Sequence, residues 1–119
     1  MPKDFSRMDR IASLIQEVLA RIIQVELQDQ SLGMVTITVV QMTRDLSLAR
    51  VYVVTHESNE EKNRETIKLL NQSAKFLRFR LAKEIQLRKM PELHFYYDDV
   101  WQQGFRVSQL LGKDLPKKG

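Results

Sequence analysis

Basic side chains are concentrated in one stretch of this sequence, between Lys62 and Lys89. The stretch holds nine lysines and arginines against two acids, Glu65 and Glu84, whereas the whole chain carries 19 basic and 15 acidic residues. Guanidinium and ammonium groups bind phosphate oxygens, and so clustered a charge raises the potential where a polyanion docks. Solvation of a helix face is the plainer explanation, but such a face usually mixes both signs. The pattern therefore favours contact with a nucleic acid.

The predicted contacts are basic side chains in this stretch and a smaller cluster near the N-terminus. They are Arg7, Arg10, Lys68, Lys75, Arg78, Arg80, Lys83, Arg88 and Lys89. Contacts of this kind position a nucleic acid and do not read its sequence, so the shape of a folded RNA would supply selectivity. For the N-terminal pair alone, solvation of a helix end explains the charge equally well.

Side chains suited to catalysis or metal binding are scattered. His56 and His94 lie far apart with no carboxylates at ligand spacing, and the chain has no cysteine. Four glycines at separate positions cannot form a phosphate-binding loop. Asp98 and Asp99 follow a predicted strand, where a turn explains them better than a cation site. We predict no catalytic residue, no cofactor and no metal.

Length and composition bound the class of protein. A chain of 119 residues with 43% apolar residues corresponds to one domain with one core. It contains no run of eighteen apolar residues and no N-terminal signal-peptide pattern, and it lacks cysteine. We predict a cytoplasmic protein with a single domain over residues 1–111 and a flexible basic tail over 112–119.

Hydrophobic periodicity predicts the elements that carry the basic residues. An amphipathic helix runs to about Glu26, and β-branched strands over 34–43 and 48–55 form an antiparallel hairpin. A helical pattern over 60–87 is expected to break near 71–73 and to end at Met90-Pro91, before a third strand over 93–97. The order α-β-β-α-α-β predicts an α+β two-layer sandwich with helices on one face of a three-stranded sheet.

Three further features complete this interpretation. Ser58 or Asn59 is suited to cap the second helix. On the third strand one aromatic pair faces the core, and the other either shields the sheet or stacks on bases. A short helix is expected over 105–111, and Trp101 has no assigned role.

Several segments together resemble the ribosome-binding factor A family. They are 33–40 and 45–53 in the hairpin, then 76–78, 87–95 and Asp98 in the second half, where Leu-Arg, Pro-Glu-Leu and a Phe-x-x-Asp ending recur. The resemblance extends from about Arg7 to Leu111. It implies a type II KH-like fold and a non-catalytic factor that binds the small ribosomal subunit and its rRNA near the 5′ end. It also implies roles in late maturation, rRNA processing and cold adaptation, with a monomer off the ribosome.

The sequence departs from the family pattern at two places. The family has an Ala-x-Gly kink between its second and third helices, and Ser73, Ala74 and Lys75 stand there, so the glycine is missing. We expect a gentler break, because lysine tolerates a positive φ poorly. The loop at 29–32 also lacks the family's proline and arginine. The alternative function is a protein-interaction module whose basic helix docks an acidic protein partner.

Overall fold

A computed structural model describes residues 7–27, 33–56 and 59–99. Three helices and three strands follow in the order α1 (Arg7–Glu26), β1 (Val35–Met42), β2 (Leu48–Thr55), α2 (Glu60–Gln72), α3 (Ala74–Glu84) and β3 (Glu92–Tyr97). This order confirms the predicted α+β sandwich. None of these helices is long and apolar enough to span a bilayer. The predicted helix over 105–111, Trp101 and the tail over 112–119 lie outside the described residues.

The sheet is mixed, with β2 in its centre. β1 pairs antiparallel with β2 through a bulge between Ile37 and Val39, and β3 pairs parallel with β2. A parallel pair needs a crossover, which the helices α2 and α3 provide. Because β3 is an edge strand, one of its sides is left for contacts with the helices and with partners.

The core forms where the helices cover one face of the sheet. Helix α1 contributes one buried stripe, and β2 and β3 contribute alternate residues, as expected for a sheet with one covered face. Helices α2 and α3 bury apolar residues at helical spacing: Leu70, Leu77 and Leu81 are completely buried, and Ile85, directly after α3, is nearly so. Burial of such side chains is the main contribution to the stability of the domain.

The hairpin turn is held by Asp45. Its Oδ1 accepts from the hydroxyl of Thr43 at 2.9 Å, and from the hydroxyl and amide of Ser47 at 2.8 and 3.1 Å. These bonds, the Ser47 hydroxyl first, lower the pKa of Asp45 from 3.8 to about 2. Leu46 follows with φ of 60°, a left-handed conformation that is uncommon outside glycine. Its half-buried side chain packs against the core, which keeps the turn in one conformation.

The two helices of the crossover break at a single residue, Ser73. Its φ of −93° and ψ of 3° interrupt the helix, yet its amide still bonds to Leu69 and Leu70, and its carbonyl accepts from Leu77 at 2.9 Å. No positive φ occurs here: Lys75 is helical, and the positive values in the described chain belong to Gly33 and Leu46. The break therefore needs no glycine, which explains how the chain dispenses with it.

The predicted end of the long helical stretch is wrong. The stretch does not continue to Leu87 and does not end at Met90-Pro91, because α3 ends at Glu84 and Ile85 is extended, with φ of −122° and ψ of 136°. Ile85 still buries its side chain in the core, and β-branched residues favour this backbone. Residues 85–91 are consequently a loop, and its two cations are carried beside the hairpin turn. At the other end of the stretch, Asn59 caps α2, with Oδ1 accepting from Glu61 at 2.8 Å and Lys62 at 3.2 Å.

Candidate nucleic-acid interface

A groove of about 460 Å³ lies between α3 and the edge strand β3. Lys75 and Arg78 line it from the helix, and residues 92–96 line it from the strand. Lys75 lies in the first turn of α3, directly after the break at Ser73, and Arg78 lies in the next turn. The groove thus joins two cations to the backbone of an edge strand.

Asn71 fixes the distance between the helices and β3. Its side-chain amide donates to the carbonyl of Phe95 at 3.1 Å and accepts from the amide of Phe95 at 2.8 Å. Alternate residues of a strand direct their peptide groups to the same side. The peptide groups of Leu93 therefore face the groove as Phe95's do, and Leu93 lines it. The groove presents backbone hydrogen-bonding groups as well as charge.

A second cavity, the turn pocket, measures about 380 Å³ and lies at the end of the molecule near the hairpin turn. Arg7 from α1, Arg44 from the turn, and Arg88 and Lys89 from the loop before β3 line it, with Asp45 as its acidic member. These four cations take part in no ion pair formed within the described part of the chain. The charge of Lys89 acts in part on Asp45, where it helps to lower the pKa of that carboxyl, whereas the charges of Arg7, Arg44 and Arg88 remain available to an external anion.

Arg78 connects the two cavities. Its Nη2 and Nε donate to the carbonyl of Met90 at 2.7 and 3.3 Å, which fixes the loop that carries Arg88 and Lys89 against α3. We call the groove, Arg78 and the turn pocket together the basic band; besides its cations, the band contains the acidic residues Glu92 and Asp45. It runs from the break at Ser73 to the beginning of α1.

The nine predicted contacts are distributed unevenly over this surface. Lys75 and Arg78 line the groove, and Arg7, Arg88 and Lys89 line the turn pocket. Lys83 on α3, Lys68 on α2 and Arg10 on α1 are exposed, and none of the three lines either cavity. RNA contact by each of these residues stays a prediction.

Arg80 has partners inside the protein. Its guanidinium lies 3.1 Å from Glu26 of α1 and 3.9 Å from Glu84, and 27% of its side chain is exposed. Glu84 also pairs with Arg21 of α1 at 3.3 Å. Carboxylates at these distances offset the charge that an external phosphate would meet. Of the predicted contacts, Arg80 has the weakest structural support.

Three residues that sequence reasoning did not select belong to this region. Arg44 reaches the turn pocket because the hairpin turn folds back toward the 85–91 loop, which no local pattern reveals. Phe76 and Phe79 are exposed on α3. Their positions gave a signal, since both fall between the members of the buried stripe.

The aromatic residues of β3, His94 and Asp98 contact other residues of the protein. Phe95 is buried, whereas Tyr96 is partly exposed and its ring stacks on Tyr52 with centroids 5.4 Å apart. His94 is exposed, with Nε2 3.7 Å from Glu92. Asp98 accepts from the hydroxyl of Thr38 at 2.5 Å. The described residues contain no group of three or more histidines and carboxylates arranged to hold a metal ion.

The model of one protein family, ribosome-binding factor A, matches residues 7–111. The chain belongs to the ribosome-binding factor A family. Bacterial members include the protein of Saccharophagus degradans, 47% identical over 95% of this chain and 89% of its own, and that of Pseudomonas fluorescens Pf-5, 42% identical over 93% and 84%. The family resemblance drawn from the sequence is confirmed.

Solved structures of this family share the fold. The crystal structure of ribosome-binding factor A from Thermus thermophilus superposes with a TM-score of 0.66, at 25% identity, over 77% of this chain and 97% of that one. A model of the Thermus protein, fitted into an electron-microscopy map of its complex with the 30S subunit, matches with a TM-score of 0.60 at 27% identity, over 71% and 88%. These likenesses are consistent with the predicted KH-like fold.

Proposed function

We propose that this protein binds the small ribosomal subunit through its rRNA, as a non-catalytic factor of late subunit maturation. The observation that carries the proposal is the basic band, which gathers cations from four parts of the chain onto one surface. Family membership supports the choice of partner, because the Thermus relative is described in complex with the 30S subunit. A cationic surface of this extent suits the closely spaced phosphates of folded rRNA.

Five side chains are proposed as the principal phosphate contacts. They are Lys75, Arg78, Lys83, Arg88 and Lys89. Arg7 and Arg44 extend the same surface at the turn pocket, and Lys68, Arg10 and Arg80 are secondary contacts. Charge positions the RNA, while the depth of the groove and the peptide groups of β3 restrict which strand conformations fit.

The finer assignment follows the family resemblance. We place the contact near the 5′ end of the small-subunit rRNA, with the protein acting as a monomer in the cytoplasm during rRNA processing and cold adaptation. Docking of an acidic protein on the same band is the rival. Treating a pull-down with ribonuclease separates the two, since only a protein-mediated complex survives digestion of the RNA.

The test compares two double variants of equal charge. Lys75→Glu with Lys83→Glu, the α3 double variant, reverses charge at the band, and Lys62→Glu with Arg64→Glu makes the same change on α2. All four side chains are exposed, so we expect melting temperatures close to that of the wild type. Binding to purified small subunits is measured by co-sedimentation.

The α3 double variant is expected to bind at least tenfold more weakly, while the α2 control stays within about threefold of the wild type, because phosphate contacts act locally under salt screening. Equal binding by both variants and the wild type would refute the proposed interface. Equal weakening of binding in both variants would show that the loss depends on net charge and not on the basic band.

A further inference from the structure

Two phenylalanines lie on the surface of α3. Phe76 is 44% exposed and Phe79 is 58% exposed, whereas Phe95 is 1% exposed. Large aromatic side chains carry much of the core energy in most domains, so exposure of two on one short helix requires another explanation. The core does not need them, because Leu77 and Leu81 of the same helix are completely buried in it.

The surroundings of these rings are cationic. The Nζ atom of Lys83 lies 4.8 Å from the centre of the Phe79 ring, a cation–π contact. Lys75 precedes Phe76 directly and lines the groove. Residues three or four apart on a helix are neighbours, so the two rings and Lys83 share one face of α3.

Among the described residues, no ion pair joins this face of α3 to another helix or strand. Helix α1 meets α3 on another side, through the pairs of Arg80 with Glu26 and of Arg21 with Glu84. The face between that side and the groove carries Phe76, Phe79 and Lys83.

We propose that Phe76 and Phe79 stack on the bases of unpaired nucleotides in the RNA whose phosphates the basic band holds. This inference rests on the proposed function and adds the class of RNA that α3 contacts. Unpaired bases offer a free face to an aromatic ring, whereas paired bases are stacked inside a duplex. Each such contact strengthens single-strand binding by roughly 5- to 150-fold.

Composition favours RNA over a protein at this face. The centres of protein interfaces are depleted in lysine, yet Lys75 and Lys83 flank both rings. Aromatic rings alternating with cations are typical of surfaces that bind single-stranded nucleic acid without strong sequence preference.

The test uses two RNA probes of equal length, a single-stranded adenosine dodecamer, whose bases are unpaired, and a fully paired duplex. The variants are Phe79→Ala, Phe76→Ala and Phe79→Trp, with Val25→Ala as the control, because Val25 is 68% exposed on α1. Circular dichroism checks that each variant is folded, and fluorescence anisotropy measures affinity.

Phe79→Ala is expected to lower affinity for the adenosine strand about tenfold and to leave duplex binding unchanged. Phe79→Trp should retain affinity, and its added indole fluorescence should be quenched by the single strand. The Val25 control should bind both probes as the wild type does.

Wild-type affinity of Phe79→Ala and Phe76→Ala for the adenosine strand would overturn the stacking proposal. If the α3 double variant still loses subunit binding in that case, the proposed function is retained without the stacking. If the α3 double variant binds subunits normally, the proposed function is refuted as well. Loss of subunit binding by Phe79→Ala at unchanged oligonucleotide affinity would show that the rings contact a protein, which also overturns stacking.

Discussion

Asn71 joins α2 to the edge strand, and its replacement by alanine tests how strongly the groove is held together. The change removes both hydrogen bonds to the backbone of Phe95, of 2.8 and 3.1 Å. A typical intramolecular hydrogen bond contributes about 0.5–1.5 kcal/mol, so the loss amounts to about 1–3 kcal/mol. Alanine offsets about 0.5 kcal/mol of it as the better helix former. We expect the free energy of unfolding to fall by about 0.5–2.5 kcal/mol.

Urea unfolding followed by circular dichroism measures this change. A lower midpoint with an unchanged slope is expected, because one lost contact does not change the surface exposed on unfolding. Gln72→Ala is the matched control: Gln72 is the next residue of α2, is exposed, and gains helix propensity in the same way. It should be as stable as the wild type or slightly more so. Equal midpoints for the Asn71 and Gln72 variants would refute the role given to Asn71.

Three further predictions concern charge. With about five phosphates neutralised, a plot of log RNA affinity against log salt concentration should have a slope of about −3.5 to −4.5. In the α3 double variant, which lacks two of the five cations, the slope should be shallower by about 1.4 to 1.8. Equal slopes for the two proteins would contradict the proposed set of contacts. Folding lowers the pKa of Asp45 to about 2, so the contribution of this carboxylate to stability is present above pH 3.8 and is lost as the pH falls toward 2. The melting temperature of Asp45→Asn should therefore depend less on pH in this range than that of the wild type. A double-mutant cycle on Arg80 and Glu26 should give a coupling of about 0.5–1 kcal/mol in urea unfolding, and zero coupling would return Arg80 to the set of free cations.

Local patterns predicted most of the fold. The break near Ser73 was visible because Asn71 and Ser73 are weak helix formers. The cap at Asn59 follows from its position before an acidic first turn. The early end of α3 was not visible. Ile85 continues the helical spacing of apolar residues, and only its place in the three-dimensional core shows that an extended backbone buries it.

The charge of the candidate site could be predicted from the sequence, but the contacts of its side chains with the rest of the protein could not. The cationic excess of the 62–89 stretch identified the region, since charge is a property of sequence. Pairing of Arg80 with Glu26 joins residues 54 positions apart, and the bonds of Asn71 to Phe95 span 24. Such contacts depend on how the elements pack, and no local spacing encodes them.

Tethered cleavage of rRNA tests the central claim most directly, and the absence of cysteine from the sequence permits it. Ala82→Cys places an iron chelate on the exposed surface of α3 without removing a cation, and Thr36→Cys places the same chelate on β1, at an exposed residue. Radicals generated in complexes with small subunits should cut the rRNA strongly from position 82 and weakly from position 36. Strong cleavage from position 36 with none from position 82 would contradict an RNA interface at the basic band.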